Sequence, residues 1–234
     1  MKKERFEIGR IPSVLWGKPA GRLIVAVHGN MSNKEDVPIK ILAEIALPKG
    51  YQVLSFDLPG HGDRNDGKLP FQFRYCTEDL RAVIRYAKQK WSRISLFANS
   101  IGAYFSLASC PDEPFETAWF LSPVVDMERT VENMMAAFGV TAERLEKERA
   151  VHTPVGQDLY WDDYCYMKKH PIARWDASTY ILYGGKDTMC EPDTILGFAE
   201  KFSCGLQIVE GAEHYFYTPG ELRALKEWLG QTLG

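Results

Sequence analysis

Short apolar runs ending at glycine, proline or a small polar residue alternate along this chain with longer amphipathic stretches. No other feature constrains the fold as strongly. Near-continuous apolar runs are what strands buried on both faces require, and the intervening amphipathic segments fit crossover helices. The predicted strands are Leu23–His28, Gln52–Asp57, Ile94–Ala98, Thr117–Ser122, Thr179–Tyr183 and Leu206–Val209. Two weaker strands, Arg5–Ile8 and Pro12–Trp16, fit an antiparallel edge. Helices are expected over Thr77–Lys90 and Gly220–Leu229, each with apolar residues on one face and the first with Thr77 or a neighbour as N-cap, over the short, small-residue-rich Ile101–Ser109, and over Pro192–Phe202, which starts with proline at a first-turn position. The class is therefore α/β with a mostly parallel sheet.

One stretch breaks the alternation. Between about 124 and 175 there is no good strand, and helical pieces are expected over Asp126–Phe138, Thr141–Arg149 and Asp158–His170. An insertion of this length between two strands reads as a cap over the carboxyl end of the sheet. It is too short to carry a core of its own, so residues 1–234 read as a single domain.

Composition excludes several function classes. Lys plus Arg is 28 and Asp plus Glu is 31, so the net charge is −3. That leaves neither the basic footprint of a nucleic-acid binder nor a polybasic membrane patch. No apolar run is long enough to span a membrane, and the charged Met1–Phe6 segment lacks the apolar stretch of a signal peptide. Cys76, Cys110, Cys165, Cys190 and Cys204 are odd in number and widely spaced, with no Cys-x-x-Cys. Reduced thiols in a cytoplasmic protein are the simplest reading, with no metal site.

In an open parallel sheet, ligands gather outside the carboxyl ends of the strands. Four clusters of reactive residues fall there. Ala98-Asn99-Ser100-Ile101-Gly102 joins a strand to a helix. A sharp turn at Ser100 exposes its hydroxyl, and small residues at 98 and 102 let strand and helix approach closely. Gly211-Ala212-Glu213-His214 follows the last strand, and histidine, with an ordinary pKa near 6.5, suits a general base. Gly184-Gly185-Lys186-Asp187 follows the strand before it, where Asp187 can fix the histidine tautomer; Asp126 is the alternative acid. His28-Gly29-Asn30 follows the first long strand. The backbone N–H of Asn30, with that of Ile101, fits a two-donor oxyanion hole, and His28 reads as a residue that holds the loop. Each cluster alone has an ordinary explanation as a cap, a surface turn or a loop. Their order at successive strand ends points to nucleophilic catalysis by Ser100, Asp187 and His214.

These residues, with Asp57-Leu58-Pro59-Gly60-His61-Gly62, make nearly the whole chain resemble the α/β-hydrolases, in particular small carboxylesterases, monoacylglycerol-lipase-like enzymes and serine aminopeptidase-like proteins. The resemblance implies an α/β-hydrolase fold. Its eight-stranded, mostly parallel sheet would be flanked by helices, with a helical cap after the sixth strand and no cofactor. Asp57 and His61 would be structural. The chain departs from the family at Ala98, where glycine is usual, and at Asp63-Arg64, where many relatives carry serine. The expected activity is serine-esterase cleavage of a small-molecule ester of modest size. An aminopeptidase, a thioesterase and an inactive binding protein on the same scaffold are the alternatives. The aromatic and methionine-rich insertion supplies Met134, Phe138, Trp161 and Tyr164 as candidate substrate contacts. For a peptidase, Glu132, Asp158, Asp162 or Asp163 would have to receive a substrate amine. Cys190, three residues after Asp187, reads as a small buried side chain.

Overall fold

The computed structural model describes residues 1–234. In chain order its elements are β1 (Lys3–Ile8), β2 (Ile11–Trp16), β3 (Arg22–Val27), α1 (Val37–Ala46), β4 (Tyr51–Phe56), α2 (Phe73–Lys88), β5 (Arg93–Asn99), α3 (Ile101–Ser109) and β6 (Ala118–Leu121). They continue with α4 (Met127–Ala137), α5 (Ala142–Glu148), β7 (Ala150–His152), β8 (Asp158–Tyr160), α6 (Trp161–Lys169), β9 (Thr179–Gly184), α7 (Pro192–Lys201), β10 (Gly205–Val209) and α8 (Pro219–Thr232).

Eight strands form one sheet in the order β1-β2-β4-β3-β5-β6-β9-β10. β1 and β2 pair antiparallel and join β4 antiparallel; every other pairing is parallel. The eight-stranded, mostly parallel sheet and its antiparallel edge are as expected. β1 ends the sheet with exposed Lys3, Glu4, Arg5 and Glu7, charges that discourage pairing with another chain.

The two faces of the sheet bury alternate residues. Val25, Val27, Leu54, Phe56 and Leu96 face a core shared with α2 and α3 through Leu80, Val83, Ile84, Ala103 and Leu107. Ile24, Ala26, Val53, Phe97 and Trp119 face the opposite core, closed by α1 and α8 through Ile39, Leu42, Leu225, Trp228 and Leu229. This period of two explains why the runs read as apolar throughout.

Three elements differ from expectation. α1 was not foreseen; Asp36 caps it, accepting the Val37 N–H, and a proline stands in its first turn. α2 begins at Phe73, a turn before the expected Thr77, whose hydroxyl instead donates to Arg74 O inside the helix. The insertion is not purely helical, because β7 and β8 form an antiparallel hairpin within it. Its α4, α5 and α6 lie close to the expected helical pieces.

Candidate active site

The turn between β5 and α3 places Ser100 at φ 53°, ψ −122°, a conformation that L-residues rarely adopt. The surroundings impose it. The Ser100 N–H donates to Leu121 O on β6 at 3.0 Å, and Ser100 O accepts from Ala103 and Val124, both at 3.0 Å. Ala98 is fully buried beneath the turn, so a small residue suffices there in place of glycine. Gly102 has no such latitude: a Cβ on it would stand 2.7 Å from His28 O.

The hydroxyl of Ser100 lies 2.8 Å from His214 Nε2. His214 Nδ1 lies 2.7 Å from Asp187 Oδ2. The Asp187 side chain is fully buried, and its other oxygen accepts the N–H groups of Met189 at 2.8 Å and Cys190 at 3.0 Å. With a carboxylate on one side, the imidazole carries its proton on Nδ1 and turns Nε2 toward the hydroxyl as an acceptor. The alternative acid, Asp126, is turned elsewhere and caps α4 by accepting the Arg129 N–H at 3.0 Å.

Backbone bonds tie the carboxylate turn to the histidine loop. Gly185 N–H donates to Val209 O at 3.0 Å and Lys186 N–H to Ala212 O at 2.8 Å. Gly184 makes the approach possible, since a Cβ there would stand 2.4 Å from Glu213 O. The Gly-Gly pair in the sequence was the visible sign of this contact. At its far end the loop runs into α8 through a capping box between Thr218 and Glu221.

The loop carrying Asn30 lies against the same serine. A Cβ on Gly29 would stand 3.1 Å from Ser100 Cβ. The Asn30 N–H donates to no protein group, and Ile101, as the first residue of α3, has no intrahelical acceptor for its own. Two histidines fasten this loop to the one after β4. His28 turns Nδ1 to Gly29 O at 2.7 Å and accepts the Leu58 N–H on Nε2 at 3.0 Å. His61 turns Nδ1 to Pro59 O at 2.8 Å, with its Nε2 3.0 Å from the Met31 N–H. Burial pushes the His28 pKa down to about 3 and also lowers that of His61, so both rings are neutral, each with one donor and one acceptor.

Lys34, which carried no signal in the sequence, completes the clasp. It is buried and pairs with the fully buried Asp57 and with Asp63, 2.8 Å away. The Lys34 N–H also bonds Asp57, at 2.8 Å. The Asp63-Arg64 departure has a local role: Asp63 N–H donates to Asp57 at 2.9 Å, and Arg64 pairs with Asp79.

Of the four candidate substrate contacts in the insertion, only Tyr164 lines the narrow cavity beside Ile101, of about 30 Å³. Met134, Phe138 and Trp161 are half-buried, pack against the core and do not line that cavity. The cavity walls that the sequence did not single out include Phe71, Phe73, Phe105, Met127 and Met167. Gln157, after the hairpin turn, also lines it and accepts a hydrogen bond from Asn30 Nδ2 at 2.8 Å.

The donor atoms of Asp187, Cys190 and His214 lie within 4.8 Å of one another. Burial pushes the Cys190 thiol well up, so it stays protonated and is a poor metal ligand, while the carboxylate and imidazole engage each other. All five cysteines are free thiols.

A strained serine, an imidazole and a carboxylate at the carboxyl ends of β5, β10 and β9 define a protein with the architecture of an α/β hydrolase. Residues 24–224 match the model of the alpha/beta hydrolase family, and the chain belongs to that family. Among solved structures it is similar to Est1E from Butyrivibrio proteoclasticus, solved with ferulic acid bound. That match has 17% identity over 98% of this chain and 97% of the other, with a TM-score of 0.79. It is similar also to mouse alpha/beta hydrolase domain-containing protein 10, at 13% identity over 100% and 98% of the two chains, TM-score 0.77. An esterase from Pyrococcus furiosus aligns at 19% identity over 95% and 85%, TM-score 0.68. At these identities the likeness is one of fold. A comparison with curated protein sequences finds no match. No helix is long and apolar enough to cross a membrane.

Proposed function

We propose that this chain is a serine hydrolase that cleaves carboxylic esters of modest size through an acyl-enzyme. One observation carries the reading: the Ser100 hydroxyl is 2.8 Å from an imidazole that is itself 2.7 Å from a buried carboxylate. Ser100 attacks the acyl carbonyl while His214 takes its proton, then returns that proton to the departing alcohol. Water, activated by the same imidazole, releases the acid. Asp187 holds the tautomer and stabilises the imidazolium. The N–H groups of Asn30 and Ile101 receive the developing oxyanion. Residues 124–175 act as a cap on the single domain and close the site over its substrate. The five free thiols fit a reducing compartment, and we place the protein in the cytoplasm.

The enclosed wall beside Ile101 favours an ester over a peptide with a free amine. A receptor for an ammonium group must stay ionised and unengaged. Of the two carboxylates that line that cavity, Asp163 has its pKa raised by burial and already accepts the Phe73 N–H at 2.9 Å, and Asp158 lies 2.6 Å from His152 Nδ1 and accepts the Tyr160 hydroxyl at 3.1 Å. The test is hydrolysis of short acyl, long acyl and aryl esters beside aminopeptidase substrates. Ester cleavage is expected, falling by roughly 10⁴-fold or more in Ser100→Ala. Equal inactivity on every ester would contradict the reading.

A further inference from the structure

The insertion reaches the loop after β3 through one hydrogen bond. Asn30 Nδ2 donates to Gln157 Oε1 at 2.8 Å, and no other hydrogen bond joins residues 124–175 to residues 28–36. Gln157 is brought there by a fixed turn at the end of the β7–β8 hairpin. Its own carbonyl accepts both the Thr153 N–H at 3.2 Å and the Thr153 hydroxyl at 2.6 Å, and Thr153 is buried. Gly156, at φ 77°, turns the chain just before it. The backbone therefore sets where Gln157 stands, and its side chain is left to engage Asn30.

On the receiving side the strained residue is Met31. It lies in the left-handed region, at φ 56°, where a residue with a long side chain persists only if its surroundings hold it. Packing does not, since Met31 is 83% exposed. Its N–H does, shared between Asn30 Oδ1 and His61 Nε2, each at 3.0 Å.

Those two acceptors are themselves 3.0 Å apart. With the His61 proton on Nδ1, toward Pro59 O, neither can donate to the other. Left alone, the Asn30 amide gains by turning over. Nδ2 would then donate to His61, and Oδ1 would leave the Met31 N–H. The bond to Gln157 opposes that turn, because Gln157 Oε1 accepts and Nδ2 is the only donor on the Asn30 side chain.

We propose that Gln157 is a positioning residue of the oxyanion hole: by accepting from Asn30 Nδ2 it keeps Oδ1 on the Met31 N–H, holds the strained turn, and so aims the Asn30 backbone N–H at the acyl oxygen above Ser100. Gly29, the residue between His28 and Asn30, already lies against Ser100, so a small rotation of the next peptide alters the aim. Seating the hairpin and completing the hole become one event. This role rests on the ester-hydrolase reading and acts through Asn30, not on the substrate.

The test is kcat and KM for para-nitrophenyl butyrate. Acylation and deacylation both pass through an oxyanion, so a misaimed donor slows both and lowers kcat with little change in KM. Gln157→Met, of equal length but without the acceptor, should lower kcat about fivefold with KM within about twofold. Gln157→Glu, which keeps an acceptor, should stay within about twofold of the unmodified chain. In an Asn30→Ala background, which retains the backbone N–H, Gln157→Met should change kcat by less than about twofold, since the side chain it acts through is gone. Gln157→Met without effect, a change confined to KM, an equal loss in Gln157→Glu, or a loss that persists undiminished in Asn30→Ala would overturn the role and leave the hydrolase standing. No ester cleaved by the unmodified chain would overturn both.

Discussion

Two regions meet beside Ser100, and they are held by opposite means. The loops after β3 and β4 are fixed from inside by neutral His28 and His61, and by the buried Lys34–Asp57 pair. The insertion between β6 and β9 has its charged contacts at the surface. Its ion pairs, Arg129–Glu191, Arg144–Glu148 and Arg149–Asp162, are all substantially exposed. Such pairs contribute little in water, so this region depends on its apolar side chains. Buried polar bonds have one satisfactory arrangement, whereas apolar contacts can repack. The side that would hold the oxyanion is therefore the rigid one, and the side that would hold the variable part of a substrate is the adaptable one.

The contrast is broken most easily at Lys34. Lys34→Met leaves the Asp57 carboxylate buried without its cation, and should cost about 3–5 kcal/mol of stability, read from denaturant midpoints. A loss no larger than that of an exposed pair would show that the clasp is not what holds these loops.

A second effect comes from pH. The His28 pKa is about 3 in the folded chain because the ring is buried, against an ordinary value near 6.5 once unfolded. Between those values the unfolded chain binds a proton that the folded chain refuses. The contribution is complete above pH 6.5 and is lost as pH falls toward 3, with a slope of up to about 1.4 kcal/mol per pH unit from this group. Replacing His28 with Gln should flatten the slope across that window, measured by unfolding at several pH values. An unchanged slope would mean that the ring does not stay neutral.

The smallest effect sharpens the comparison from the other side. Gln157 bonds the Asn30 side chain, so it ties the adaptable region to the rigid one. Gln157→Ala should cost less than about 1 kcal/mol of stability, since one hydrogen bond is lost at a partly exposed place. It should still lower kcat/KM several-fold by loosening the hairpin over the cavity. Equal losses of stability in Gln157→Ala and Lys34→Met would erase the distinction between the regions.

The sheet and the ends of its parallel strands were the legible part of the sequence. Strands buried on both faces announce themselves as apolar runs, and Ser100, Asp187 and His214 stand just past three of them. What escaped was decided by packing. α1 opens with the largely apolar Val37-Pro38-Ile39, a pattern shared by strands and buried helices. α2 lacks a side-chain cap at Gln72, so nothing marked its start. β7 and β8 are three residues each, too short to show a period of two. Met127 and Met167 lie far apart in sequence, and only the packing of α4 against α6 brings them to one cavity wall. Met134, Phe138 and Trp161 carry the same apolar character and face the core. Composition locates an apolar insertion without saying which side chains turn toward a substrate.

Catalysis here requires that Ser100 be a nucleophile activated by His214. Reaction with a fluorophosphonate, followed by intact mass and peptide mapping, asks this without a choice of substrate. The expected result is a single adduct on Ser100, absent in Ser100→Ala and slowed at least a hundredfold in His214→Ala, with far-ultraviolet dichroism unchanged in both. A folded chain that takes up no probe, or one that labels equally well without the Ser100 hydroxyl, would contradict it.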